Sequence, residues 1–509
     1  MSSADIQIVG VVGLGTMGAG IAEVFAKAGL TVIGIEIDDA ALERGRGHLE
    51  SSVGRAVKRG RMTEEERDAL LARVTLGTDR GALAEADLVV EAVPERLDLK
   101  RDVFTDLDRV SRPGVVLATN TSSLSVTEIA ALTSRPERVV GMHFFNPAPV
   151  MRLVEVVGTV LTEPEVTAAV AALAERIGKT PVTVGDRAGF VANALLVPYL
   201  NHAVRLYETG IATRDDIDTT MTAGAGLPMG PLTLLDLVGL DVALAIMDVL
   251  WEEFRDPRYA AAPLLRRMVT AGLLGRKTGR GFYTYPAQPA AAGEVPAARA
   301  ALPGRVAVIG DDTAVLSTAC RATGVDVYVP AEVESAEVDP ERVDAELLAC
   351  DLVITEWPPG LEPVAGDARK VVGMRVSEDR LVEVVTSAVT APGVLAHARA
   401  LAARVGPPVV VGRTDFLLET LLSVHLADAV RMVQDGYATP ADIDTAMRLG
   451  CGYPSGPVQL LDEIGLEDVC GALSLLHTRH AESCYAPPAL LTELVAVGAD
   501  GLSDVVPGR

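Results

Sequence analysis

One segment of this chain, carrying a histidine and a glutamate, is written twice, and any fold must house both copies. Residues 138–157 read R-V-V-G-M-H-F-F-N-P-A-P-V-M-R-L-V-E-V-V, and residues 370–385 read K-V-V-G-M-R-V-S-E-D-R-L-V-E-V-V. In the first, His143 precedes Glu155 by twelve residues; in the second, Arg375 takes the histidine's place and Glu383 the glutamate's. The likeness extends well beyond these segments. A-D-L-V-V-E-A-V-P (86–94) is mirrored by C-D-L-V-I-T-E-W-P (350–358), and T-R-D-D-I-D-T-T-M (213–221) by T-P-A-D-I-D-T-A-M (439–447). At the offset of that last pair, Gly230-Pro231 aligns with Gly456-Pro457 and Asp236 with Asp462. A match of this length and order implies duplication. Only the first copy keeps an imidazole, the side chain that accepts a proton near neutral pH.

Each unit opens with strands alternating with helices. Residues 6–12 form a β-rich run ending at Gly13, and a helical pattern follows to Leu30 with Ile21, Val24 and Phe25 on one face. Residues 31–36 read as a second strand, 88–93 and 115–119 as buried strands, and 182–184 as the last strand of this half. That alternation predicts a parallel, doubly wound sheet. From Phe190 helix-period stretches take over, at 191–209, 215–222 and 232–254, and R-K-T-G-R-G-F-Y-T-Y at 276–285 closes the unit. An Ala/Pro-rich linker follows, and R-V-A-V-I-G at 305–310 restarts the pattern.

At 509 residues the chain is too long for one compact domain, and its 49% apolar content can build several cores. A formal net charge of −24 argues against a nucleic-acid partner or attraction to anionic membranes, although a local basic patch can still meet an anionic substrate. The five cysteines, Cys320, Cys350, Cys451, Cys470 and Cys484, are odd in number and form no C-x-x-C pair. They read as reduced thiols of a cytoplasmic protein, with no metal site. No signal peptide is expected, and no apolar run reaches the roughly 18 residues of a membrane span.

Gly13-Leu14-Gly15-Thr16-Met17-Gly18 places G-x-G-x-x-G directly after a strand and at the opening of a helix. The first glycine makes the tight turn, the second admits a pyrophosphate to the backbone, and the third lets helix and strand pack closely. Glu36 ends the next strand, where an acid can accept hydrogen bonds from adenosine ribose hydroxyls and repel a 2′-phosphate. The pair points to NAD. In the second copy Gly310 remains, but Asp312 and Val315 replace the other glycines, which should block binding.

His143 lies in G-M-H-F-F-N-P-A-P (141–149), read as a loop entered from a strand at 139–140, and Glu155 lies on a strand at 153–157. A neutral imidazole can take a proton from a hydroxyl when its other nitrogen donates to an acceptor, and Glu155 is such an acceptor. Ser122, in T-N-T-S-S-L (119–124), follows another strand's C-terminal end, where open α/β sheets bind ligands; an ordinary turn or helix cap reads the pattern equally well. Asn193, on the first turns of the next long helix, is by itself only a polar helical position.

Together these residues resemble the L-3-hydroxyacyl-CoA dehydrogenase family. The elements are G-L-G-T-M-G, N-T-S-S-L, H-F-F-N-P-x-P-V-M-x-L-V-E-V, F-V-A-N-x-L-L-V-P-Y-L, G-L-P-M-G-P and K-T-G-R-G-F-Y, in family order across residues 6–285. The resemblance implies NAD-dependent oxidation of a 3-hydroxyacyl-CoA. His143 would be general base, Glu155 its partner, and Ser122 and Asn193 holders of the substrate oxygens. It places Glu95, Lys100, Asn120, Asn146 and Lys277 near nicotinamide, ribose or acyl-CoA, and offers Arg44 or Arg46 to the CoA phosphates. It implies an NAD-binding Rossmann domain (1–187), a helical C-terminal domain (188–286), a linker (287–304), a degenerate Rossmann-like domain (305–405) and a second helical domain (406–509). The second half resembles the family more weakly: it lacks an N-T-S-S-L, and Glu419 stands where Asn193 stands. One intact and one degenerate copy also resemble bacterial 3-hydroxybutyryl- or 3-hydroxyadipyl-CoA dehydrogenases. The two helical domains are expected to pair as an internal pseudo-dimer, with further oligomerisation open. The competing readings are an NAD-linked dehydrogenase of a free hydroxy or sugar acid, and a non-catalytic acyl-CoA or nucleotide sensor.

Overall fold

The computed structural model describes residues 5–286, 301–310, 313–330, 340–359, 367–377, 381–406, 408–503 and 505. Most of the expected linker, 287–300, and Asp312 lie outside the described residues. The first half holds an eight-stranded sheet built from β1 (Ile8–Val12), β2 (Thr31–Ile35), β3 (Val74–Gly77), β4 (Leu88–Glu91), β5 (Val116–Thr119), β6 (Val139–Phe144), β7 (Leu153–Gly158) and β8 (Thr180–Gly185). Their order is β3-β2-β1-β4-β5-β6-β7-β8. Strands β4, β5 and β6 are buried along their whole length, as strands covered on both faces must be.

The expected all-parallel sheet is corrected at one place: β6 and β7 run antiparallel. Only residues 145–152 connect them, too few for a parallel crossover. His143 is not in a loop either. Strand β6 runs on through Phe144, because Met142, His143 and Phe144 pair with Val156, Glu155 and Val154 of β7.

The helical part also departs from expectation. The stretch 232–254 is two helices, Pro231–Val238 and Leu240–Phe254, split at Gly239, whose φ of 104° suits glycine alone. The residues repeated in sequence turn out to be caps. Thr213 accepts the backbone N–H of Asp216, and Thr439 that of Asp442. Asp218 accepts from Leu232 and Thr233 N–H, and Asp444 from Val458 and Gln459 N–H. A carboxylate at a helix N-terminus satisfies donors that no turn of the helix can reach.

A second sheet contains β9 (Arg305–Ile309), β10 (Asp326–Tyr328), β11 (Leu352–Thr355), β12 (Val371–Ser377), β13 (Leu381–Thr386) and β14 (Val409–Arg413), in the order β10-β9-β11-β12-β13-β14. Among the described residues this is the order of the first sheet without strands corresponding to β3 and β5. Strands β12 and β13 are antiparallel and set Arg375 opposite Glu383. Helices Leu417–Gln434, Pro440–Cys451, Pro457–Ile464 and Leu466–His480 follow. They share one hydrophobic core with the helices of the first half, in which Leu195, Leu200, Leu426 and Val430 are all buried.

The halves touch reciprocally. A Cβ on Gly450 would meet Leu153 and the Phe145 ring at 2.7 and 3.1 Å, and one on Gly224 would meet Leu381 and Leu418 at 3.1 Å. Arg258 pairs with Asp428 at 2.7 Å and Arg187 with Asp435 at 2.9 Å.

Candidate functional site

The glycine loop forms one wall of a cavity of about 690 Å³. Gly13 has φ 87°, and any Cβ there would stand 2.9 Å from the Ala92 carbonyl oxygen. A Cβ on Gly18 would lie 1.7 Å from the Gly13 oxygen, so that glycine is what lets the helix Thr16–Lys27 approach the loop. A Cβ on Gly15 would meet nothing within 4 Å. That open backbone at a helix N-terminus is where a pyrophosphate can come close to N–H donors. Leu14, Thr16 and Met17 line the same cavity. Glu36 stands just beyond β2, lines the cavity, and accepts the backbone N–H groups of Leu14 and Ile37. The donor set therefore fits a dinucleotide whose ribose hydroxyls meet a fixed carboxylate. Of the two arginines, Arg44 lines this cavity while Arg46 pairs with Glu43 at 3.3 Å on the surface. His48 and Asp102 also line it, and the glycine pattern gave no signal for either.

His143 and Glu155 face each other across the β6–β7 ladder, with Nδ1 and Oε2 2.7 Å apart and both side chains buried. The other carboxylate oxygen, Oε1, accepts the backbone N–H of Val191 and of Ala192 at 3.0 Å each. These lie at the start of the helix Ala192–Glu208, where partial positive charge favours an anion. With Oε1 taken by two backbone donors, Oε2 is free to accept from the imidazole, and a proton on Nδ1 leaves the Nε2 lone pair open. The His143 ring is sandwiched by Phe145 and Phe190, with centroids at 4.6 and 5.8 Å.

Several of the remaining sequence candidates converge on this pair. Asn120 Oδ1 accepts the N–H of Phe144, the residue after His143. Asn193, next to the residue bonded to Glu155, directs its amide to the Ser122 carbonyl at 3.5 Å. Glu95 gathers the loop at the end of β5, accepting from Thr121 Oγ1 at 2.6 Å, Ser122 N at 2.9 Å and Ser123 N at 3.0 Å. Burial pulls Glu95 upward, but Lys100 and these donors outweigh it and hold the carboxyl below its ordinary range.

Lys100 lies beneath the Glu95 cluster. It is fully buried, bonded to both Glu91 oxygens at 2.8 and 2.9 Å and 3.4 Å from Glu95. It joins the Glu91 and Glu95 carboxylates. Lys277 lies half-exposed in an ion pair with Asp241, beside Gly239. Asn146 precedes a cis peptide to Pro147 just past the end of β6. Gly450 and Tyr437 are contributions of the second half that local patterns did not signal. Gly450 backs the Phe145 ring, and the Tyr437 hydroxyl donates to the Gly185 carbonyl at 2.9 Å.

A dinucleotide cavity and a buried histidine–carboxylate pair carried by one sheet are parts that an NAD-linked oxidoreductase uses. The family follows from the match of whole domains. Residues 8–187 match the 3-hydroxyacyl-CoA dehydrogenase NAD binding domain, and residues 189–285 and 416–504 match the 3-hydroxyacyl-CoA dehydrogenase C-terminal domain. The chain is 35% identical over 492 residues to the 3-hydroxyadipyl-CoA dehydrogenase of Escherichia coli K12, covering 96% of this chain and 97% of that one. It is 51% identical over 282 residues to a 3-hydroxybutyryl-CoA dehydrogenase of Mycobacterium tuberculosis, covering 55% of this chain and 99% of that one. A crystal structure of 3-hydroxybutyryl-CoA dehydrogenase from Escherichia coli K12 superposes with a TM-score of 0.77 at 33% identity, covering 97% and 98% of the two chains. The chain belongs to the 3-hydroxyacyl-CoA dehydrogenase family, with NAD as its cofactor. Among the described residues no helix is long and apolar enough to cross a membrane.

Proposed function

We propose that this protein oxidises the hydroxyl of an (S)-3-hydroxyacyl-CoA to the 3-oxoacyl-CoA, on short-chain or 3-hydroxyadipyl substrates, in the cytoplasm. The observation that carries the reading is the 2.7 Å contact between His143 Nδ1 and Glu155 Oε2, both buried. With the Nδ1 proton committed to Glu155, Nε2 is the base that takes the substrate hydroxyl proton as C3 loses its hydride. Bound in the 690 Å³ cavity, NAD supplies the hydride acceptor. Glu155, anchored on two backbone N–H groups, stabilises the imidazolium that forms. Ser122 and Asn193, joined to each other and to the Glu95 cluster, hold the substrate oxygens. Five free cysteines accord with a reducing compartment. Substrates named for the relatives above, 3-hydroxybutyryl-CoA and 3-hydroxyadipyl-CoA, are the first to assay for NADH formation, beside longer acyl chains and free 3-hydroxy acids. Turnover of the free acids at the rate of the thioesters would refute the reading. His143→Ala should lower turnover by about 10²–10⁴, the usual contribution of a general base.

The second half is read as a duplicated unit that lost its chemistry and kept its packing. In support, the second sheet follows the first sheet's strand order, and the β5 counterpart that would carry a Ser122 is absent among the described residues. The domain limits 1–187, 188–286, 305–405 and 406–509 follow on this reading. The helical domains form an internal pseudo-dimer, supported by the reciprocal Gly224 and Gly450 contacts and the shared core. The Mycobacterium relative aligns over 99% of its own length with about half of this chain, so the first half has a free-standing counterpart. A chain ended at Pro286 should therefore self-associate; a monomeric, fully active product in sedimentation and NADH assays would refute the pseudo-dimer.

A further inference from the structure

The second half holds a cavity of about 370 Å³, within the range of small-molecule sites. Arg375, Glu383 and Glu419 form its polar end, and Leu422, Leu426 and Val469 its apolar wall. Glu383 is built in as Glu155 is. It faces Arg375 across β12 and β13, and its Oε1 accepts the Leu418 N–H at 3.0 Å. The oxygens differ in their second partner. In the first half Oε2 holds the imidazole at 2.7 Å; in the second half Glu383 Oε2 is buried with no hydrogen-bond partner among the described residues. Arg375 does not serve it, because its guanidinium pairs with Glu419 at 3.1 Å and lies 4.2 Å over the Phe416 ring. Burial accordingly pushes the Glu383 carboxyl up to about 7.

A group that supplies the missing partner must pair with an oxygen that accepts above about pH 7 and can donate below it, as a hydroxyl does, and must fit beside an apolar wall. A second carboxylate is disfavoured, because Glu383 and Glu419 already outnumber Arg375 at the polar end. A dinucleotide is excluded from the neighbouring turn. The space at Gly310 is filled by Glu356, whose carboxylate would lie 2.0 Å from a Cβ there. We propose that this cavity is a second, non-catalytic site for a short 3-hydroxyacyl group, whose hydroxyl donates to Glu383 Oε2 while its chain lies against Leu422, Leu426 and Val469. The choice of a hydroxyacyl thioester rests on the function proposed above.

The test is calorimetric titration of the full chain with 3-hydroxybutyryl-CoA and with butyryl-CoA, without NAD. The hydroxylated ligand should bind twice per chain. Butyryl-CoA should be weaker at the second site by about tenfold, since it leaves the buried oxygen unpaired. Glu383→Leu and the cavity-filling Leu422→Trp should each leave one binding event, with NADH formation within about twofold of the parent as the check on folding. One event per parent chain, or two in both variants, overturns the proposal. Absence of NADH formation from every 3-hydroxyacyl-CoA would sink the proposed function instead, and the stoichiometry would still read out the cavity.

Discussion

Replacing Glu155 by glutamine changes one atom and should disable the enzyme through its tautomer. The carboxylate serves three donors: Val191 N–H and Ala192 N–H at one oxygen, His143 Nδ1–H at the other. A glutamine has one oxygen and one NH₂ to offer. Turning the NH₂ toward the helix would leave two buried backbone donors unpaired, at about 1–3 kcal/mol each, or about 2–6 kcal/mol for the pair. The oxygen therefore stays with Val191 and Ala192, and the NH₂ faces Nδ1. That nitrogen must now accept, so the proton moves to Nε2, where the substrate proton has to go. The same exchange of tautomer in a serine protease triad costs about 10⁴ in kcat, and Glu155→Gln should lose about 10³–10⁴. NAD affinity should not change, because the Gly13–Gly18 loop lies on other strands. Steady-state NADH formation gives kcat, and ¹⁵N NMR of the labelled imidazole reports which nitrogen is protonated. A kcat within tenfold of the parent, or a proton still on Nδ1, would refute the reasoning.

Other substitutions test other parts. Gly18→Ala drives a methyl against the Gly13 carbonyl and should abolish NAD binding in a fluorescence titration, with the second half still folded. Gly450→Val, placed in the second half, forces Phe145 and Leu153 to shift and should lower kcat at least about tenfold while NAD affinity is kept. An unchanged kcat would mean that the second half does not support the dyad. Glu383→Gln should alter stability with pH. The buried carboxyl titrates near 7 in the fold and near 4.5 when unfolded, so the folded state holds the extra proton and stability falls as pH rises through that window. The glutamine removes that loss, and its melting temperature should exceed the parent's at pH 8 but not at pH 4.5.

The parts legible in sequence were those whose cause is local. The glycine loop announces itself because its three glycines sit at fixed spacing between a strand and a helix: Gly13 and Gly18 answer steric demands, and Gly15 leaves the backbone open. The helix caps repeat as Thr-x-x-Asp because the capping bond spans three residues. His143 was misread as a loop residue because F-F-N-P-A-P looks like one locally. What keeps it in a strand is the register with Glu155 on β7, which no local pattern contains. Strand β3, V-T-L-G, was missed because it is four residues long and lies half-exposed at the sheet edge, too short for its alternation to stand out. Lys100 came only from its match to a family position; its bond to Glu91, nine residues earlier, is made by the tertiary fold and no local pattern signals it.

The contact of Gly450 with Phe145 is the least visible of all, and it bears on why a disarmed half is retained. Phe145 lies tilted against the His143 ring, and its other neighbours include a glycine from a helix some three hundred residues away. The corresponding glycine of the first half, Gly224, rests on Leu381 and Leu418, beside Glu383. In a two-fold interface residue i meets j and j meets i, so each half backs the other's strand pair. Loss of the dinucleotide loop in one half costs the other nothing, because no atom of that loop enters the interface contacts described here. Loss of the helices would uncover Leu195, Leu200 and the rest of the shared core. On the duplication proposed above, selection on a single working site would be enough to keep the second half's helices and its β12–β13 pair without its cofactor loop. Tethering the halves in one chain makes the support independent of protein concentration, which two separate subunits would not achieve.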